Sequence, residues 1–87
     1  MKTIDVSIII VSFNTKNLTL DAIRSVEKTV KKNTYEIIVV DNNSSDQSVE
    51  EIEDLHKEIS GLTLVKNKEN VGFSRANNIG VKKSHGR

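Results

Sequence analysis

The sequence has no cysteine and no proline, carries a formal net charge of only +1, and contains no apolar run long enough to cross a bilayer. Without cysteine there is neither a disulfide framework nor a thiolate metal site. A chain that folds without such staples fits a reducing compartment, and the cytoplasm is the expected location. Without proline, punctuation falls to glycine, asparagine and serine. Near-neutrality offers no broad basic surface for nucleic acid and no polybasic membrane anchor. The longest apolar run, residues 6–13, is too short to span a membrane and lacks a signal-type cleavage region. Neither a nucleic-acid partner nor a membrane contact is therefore expected of this segment. No repeat, low-complexity stretch or linker divides the chain. Its 87 residues, 36% hydrophobic and 29% charged, allow a single domain over 1–87 with one core and leave no room for a second.

What is present alternates in type. Residues 6–13, Val-Ser-Ile-Ile-Ile-Val-Ser-Phe, are β-branched and apolar at nearly every position, the pattern of a strand covered on both faces and placed centrally in a parallel sheet. After Asn14-Thr15-Lys16-Asn17, the residues Leu20, Ile23, Val26 and Val30 recur at helical spacing among charged neighbours. Glu36-Ile37-Ile38-Val39-Val40-Asp41 reads as a second buried strand. The turn Asn42-Asn43-Ser44-Ser45 follows, with Ser44 and Gln47 at capping-box spacing. Val49, Ile52, Leu55 and Ile59 form the stripe of a second helix, with a stop at Ser60-Gly61. Leu62-Thr63-Leu64-Val65 makes a third strand. From Gly72, the residues Phe73, Ala76, Ile79 and Gly80 fall on one face of a third helix, whose Lys82 and Lys83 suit its C-terminal end. The order β-α-β-α-β-α predicts a three-layer α/β/α fold on a short parallel sheet, with right-handed crossovers and any ligand at the carboxyl ends of the strands.

Those ends carry the polar clusters: Ser12-Phe13-Asn14, then residues 41–46, then Asn67 and residues 70–80. Each residue type has two readings. Asp41 ends an apolar strand, where a carboxylate can accept the imide N–H of uracil or thymine or satisfy the backbone of a turn. Asp46 suits either a ligand or the dipole of the helix it precedes. Gly72 permits close approach of backbone to ligand, and Gly80 of helix to sheet. Arg75, in the first turn of the third helix, can reach a diphosphate or serve as a solvated cation. His56 and His85 have no paired ligand at metal-binding spacing.

Three blocks taken together resemble the family 2 glycosyltransferases, which use the A-type glycosyltransferase fold, and their rhamnosyltransferase-like branch in particular. Residues 6–14 are similar to the family's opening strand, residues 36–46 to its second, and Asn70-Val71-Gly72-Phe73-Ser74-Arg75-Ala76-Asn77-Asn78-Ile79-Gly80 to its third block. Val11 stands where many relatives have proline. The resemblance implies an inverting transferase that uses a UDP- or dTDP-sugar, in bacterial polysaccharide or cell-wall synthesis, with a saccharide or lipid-linked acceptor. It implies that Ser12 and Phe13 line the base pocket, that Asp41 binds the base, and that Arg75 approaches the nucleotide. Asn14, Asn43, Asp46, Asn70 and Gly72 complete the nucleotide-binding set, while Asn78 and Gly80 shape the supporting helix. It also implies strand order 3-2-1, with a fourth strand beyond the first in longer relatives, where an Asp-x-Asp motif holds Mg²⁺ or Mn²⁺.

That motif and the carboxylate that deprotonates the acceptor are absent from these 87 residues. The expectation is thus the N-terminal half of the A-type fold, with no catalytic residue and no metal of its own. Such a segment is inactive alone, although the full-length enzyme would act in the cytoplasm or at the inner face of the membrane. An uncovered first strand is a template for pairing, so a homo-oligomer through that edge is expected. Two rivals stand beside this reading. A dinucleotide-dependent oxidoreductase would need G-x-G-x-x-G after the first strand, which is missing. A non-catalytic nucleotide-binding or interaction module would need nothing more than is here.

Overall fold

The computed structural model describes residues 6–29, 35–59 and 61–84. Among them the order is β1 (Val6–Ser12), α1 (Lys16–Thr29), β2 (Tyr35–Asp41), α2 (Ser48–Glu58), β3 (Leu62–Lys66) and α3 (Phe73–Lys83). The strands form one parallel sheet in the order β1-β2-β3, which is 3-2-1 read from the other side. In register, Ser12 lies beside Asp41 and Asp41 beside Lys66, so the three strands end together.

Alternation along β2 sets the two halves of the core. Ile37 and Val39 point to one side and pack with Ile23 of α1, with Ile52 and Leu55 of α2, and with Ile59 and Leu62. Ile38 and Val40 point to the other and meet Ala76 of α3, with Ile9, Val11, Val65 and Ile79 around them. A strand buried on both faces must be apolar throughout, and β2 is the strand so enclosed. The central position expected for β1 belongs to β2 instead. Among the described residues β1 has a strand neighbour on one side only, and its residues from Ser7 to Val11 are half-buried. A continuous apolar run reports covered faces and does not report lateral neighbours.

Three local expectations also change. Helix α1 begins at Lys16, earlier than its apolar stripe suggests, because Asp46 of a distant loop accepts the Lys16 N–H at 3.0 Å. Ser44 does not cap α2: the helix starts at Ser48 behind Gln47, whose φ is 68°, and the Ser44 hydroxyl is held by Asp41. A capping serine must accept a helix N–H through that oxygen, and here the oxygen accepts the Asn14 N–H instead. Phe73 is 70% exposed and is not part of the buried face of α3. That helix sits close on the sheet through Ala76 and Gly80, and a Cβ at Gly80 would lie 2.5 Å from Ile9 Cγ2, which leaves little depth for a large ring. The close approach expected of Gly80 is thereby seen. Val30, Ser60 and His85 lie outside the described residues. His56 is a structural residue, its Nδ1–H donating to the Leu62 carbonyl.

Candidate nucleotide-facing rim

Loops leave the carboxyl ends of β1, β2 and β3 on one edge of the sheet, and hydrogen bonds join all three. The first and second loops meet through Ser44. Its hydroxyl donates to Asp41 Oδ1 at 2.7 Å, its N–H donates to Asp41 Oδ2 at 2.8 Å, and its Oγ accepts the Asn14 N–H at 2.9 Å. Asn14 Oδ1 in turn accepts the Ser45 N–H at 2.8 Å. The turns need left-handed backbone at Asn14, φ 52°, and Asn43, φ 67°, a conformation asparagine tolerates better than other non-glycine residues.

Asp46 fastens the same junction one layer further out. Its Oδ2 accepts the Lys16 N–H at the start of α1, and its Oδ1 accepts both the N–H, at 3.1 Å, and the hydroxyl of Ser48 at the start of α2. One carboxylate therefore serves the N-termini of two helices, where unpaired N–H groups and the helix dipoles favour a negative charge. The Ser48 hydroxyl, then the Lys16 and Ser48 N–H groups, hold the Asp46 carboxyl below its ordinary value against the opposing effect of burial.

The second and third loops meet through Asn42, which is 2% exposed. Its Oδ1 accepts from Asn67 Nδ2 at 2.8 Å and its Nδ2 donates to the Gly72 carbonyl at 3.4 Å. Its backbone N–H donates to the Ser12 carbonyl at 2.8 Å, so a single residue touches all three loop systems. Asn70 Oδ1 accepts the Gly72 N–H at 2.9 Å, and Gly72, with φ 86° and open space where a Cβ would be, precedes α3.

The expected site residues separate by what they face. Ser12 and Asp41 are fully buried, Ser12 accepting the Thr19 hydroxyl at 3.0 Å and Asp41 engaged by Ser44 through both oxygens. Asn14, Asp46 and Asn70 are turned to backbone partners. Asn14 and Asn70 are exposed as well, but Phe13, 43% exposed, and Asn43 are the exposed loop members whose side chains have no hydrogen-bond partner among the described residues. Arg75 stands apart: with Val71, Asn78, Ile79 and Lys82 it lines a 390 Å³ hollow on α3. Asn78, expected to support the helix from within, lines the same hollow and is exposed. A second hollow, of 370 Å³, lies at the start of α1 between Asn14, Thr15, Lys16, Asn17, Leu18 and Asp46.

Sequence reasoning did not single out Ser44 as the link between Asp41 and Asn14, nor Asn42 as a hub. The first carries a local signal, a serine three residues after a strand-end aspartate. The second carries none, because its side-chain partners are 25 and 30 residues away. Among the described residues no three His, Cys, Asp or Glu side chains converge as metal ligands. No helix among them is long and apolar enough to cross a membrane.

A parallel sheet covered by helices on both faces, with its polar loops gathered at the carboxyl edge, defines an open α/β class, in which ligands bind at that edge. Within that class the chain belongs to glycosyl transferase family 2, whose model matches residues 7–87. Among solved structures, the mannosyltransferase PcManGT from Pyrobaculum calidifontis, in complex with GDP-Man and Mn²⁺, superposes with a TM-score of 0.83 at 21% identity, over 97% of this chain and 25% of that one. The present chain thus spans a quarter of that protein's length. Comparison with curated protein sequences gives no match.

Proposed function

We propose that this chain is the nucleotide-binding part of a family 2 glycosyltransferase, one domain over 1–87 whose rim receives the nucleotide of a sugar donor. The observation that supports this most directly is the joining of three post-strand loops into one ledge at the carboxyl edge, in a chain of this family. On that ledge Phe13 offers a ring for a base to stack on and Asn43 an amide for its edge. Ser12, Asn14, Asp41, Asp46, Asn70 and Gly72 shape the ledge from beneath and beside. For Asp41 to touch the base, a carboxylate with no exposed surface would have to use its remaining lone pairs, so its role in this reading is to anchor Ser44. Arg75 would reach a diphosphate only from the α3 flank.

The donor proposed is a UDP- or dTDP-sugar and the reaction an inverting hexosyl or rhamnosyl transfer, in the manner of the rhamnosyltransferase-like branch. The acceptor would be a saccharide or lipid-linked saccharide of a bacterial surface polysaccharide, on the cytoplasmic side. A divalent metal would neutralise the leaving diphosphate, held by carboxylates outside these residues. Two helices on one face followed by α3 on the other also favour a particular continuation. A right-handed crossover from α3 leads back over β2 and β1 to the free edge of β1. Where that edge stays open it would pair with a second copy, which light scattering at rising concentration would detect and a persistent monomer would refute.

The deciding experiment is calorimetric titration of the chain with UDP, dTDP, GDP and NAD. Binding of a nucleoside diphosphate but not NAD is expected. Binding of none would leave an interaction module as the better description.

A further inference from the structure

In each of the two loops an exposed side chain lies between two that are hydrogen-bonded. Phe13 is exposed between buried Ser12, which accepts the Thr19 hydroxyl, and Asn14, itself exposed but bonded to the Ser45 N–H, and Asn43 is exposed between Asn42 and Ser44, whose side chains are likewise held. Each outward side chain therefore sits on a backbone fixed on both sides. The two fixed stretches are joined at Ser44. Its single hydroxyl proton goes to Asp41, because an ionised carboxylate only accepts, and this leaves its oxygen free to accept the Asn14 N–H. The chain of contacts runs from the buried end of β2, through Ser44, to the backbone beside Phe13. The left-handed turns at Asn14 and Asn43 add a reason for such a link, since backbone of this kind persists where surrounding contacts over-determine it.

We propose that Ser44 is the positioning residue of the nucleotide site, locking the loops after β1 and β2 into one unit so that Phe13 and Asn43 present a stacking face and an amide to the base. This rests on the nucleotide-binding reading above. Ser44 touches no ligand in this scheme; it acts through Asn14 and Asp41. Alanine keeps the backbone bond to Asp41 but leaves the Asn14 N–H without its acceptor, whereas threonine keeps the hydroxyl.

The test compares the parent chain with Ser44→Ala and Ser44→Thr. Amide hydrogen exchange by NMR gives one readout and calorimetric titration with UDP and dTDP the other. In Ser44→Ala the Asn14 and Ser45 amides are expected to exchange about tenfold faster while the Ile38 and Val39 amides of β2 keep their protection, which marks a local opening and not a loss of fold. Nucleotide affinity is expected to fall about tenfold in the same variant, and Ser44→Thr to restore both readouts. Unchanged Asn14 exchange in Ser44→Ala would overturn the lock whatever binds. Normal nucleotide affinity despite faster exchange would overturn the positioning role. A parent chain that binds neither UDP nor dTDP would overturn the nucleotide reading and the positioning role with it, and the exchange data would still decide the lock.

Discussion

The two junctions of the rim are built from different chemistry. Between the first and second loops the anchors are carboxylates: Asp41 beneath Ser44, and Asp46 across the starts of α1 and α2. Between the second and third loops the anchors are neutral amides, Asn42 with Asn67 and Gly72. Hydrogen bonds to a charged group contribute about 1.5–3 kcal/mol and neutral ones nearer 1 kcal/mol. The comparison therefore assigns the rigid wall of the site to the Phe13 and Asn43 side, and leaves the Gly72 side, where α3 begins, the easier to open.

Breaking the stronger junction tests this most severely. Asp41→Ala removes both acceptors from Ser44 in a fully buried place. It is expected to destabilise the chain by about 3 kcal/mol, read as a fall in the urea midpoint. A loss below about 1 kcal/mol would mean that water replaces the carboxylate and that the two junctions do not differ in kind.

Asn42→Ala tests the weaker one. It leaves Asn67 Nδ2 and the Gly72 carbonyl without the Asn42 side chain as partner while the backbone bond from residue 42 to Ser12 can persist. The expected cost is about 1.5 kcal/mol. Faster amide exchange should appear at Gly72 and Ala76 and not at Asn14 or Ser45. Equal acceleration at both junctions would show that the rim opens as one piece.

The contrast also explains what could be read in the sequence. Element types and order were legible from apolar patterning: the short, β-branched run Ile37-Ile38-Val39-Val40 reads as a doubly covered strand, and Ile52, Leu55 and Ile59 recur at the spacing of one helical face. The three polar clusters were legible as a rim because a parallel sheet brings its strand ends together. Which member of each cluster faces inward was not. Asp41 and Asn43 are both polar loop residues in sequence, yet one is fully buried and the other exposed. Their difference depends on Ser44 and on partners some 30 residues away, which leave no periodic trace. The start of α1 was obscured for the same reason, since its cap comes from Asp46.

Asp46 supplies the smallest effect and the one with a pH signature. Its folded carboxyl lies below the ordinary value of 3.8, chiefly through the Ser48 hydroxyl, with help from the Lys16 and Ser48 N–H groups. A depressed carboxyl contributes stability that is fully present above the unfolded value and is lost as pH falls through the folded one. Asp46→Asn keeps an oxygen that can still accept one of these hydrogen bonds but removes the charge at the two helix N-termini. At neutral pH the variant is expected to melt a few degrees below the parent, and the gap should narrow as pH is lowered below the ordinary value of 3.8 and through the depressed folded one, where the parent's own carboxylate takes up its proton. Added salt at neutral pH should narrow it as well, because the attraction of a partly exposed charge for a helix end is screened. A gap that stayed constant across both series would show that Asp46 acts through hydrogen-bond geometry alone. The charged and neutral junctions of the rim would then differ only in where their partners lie.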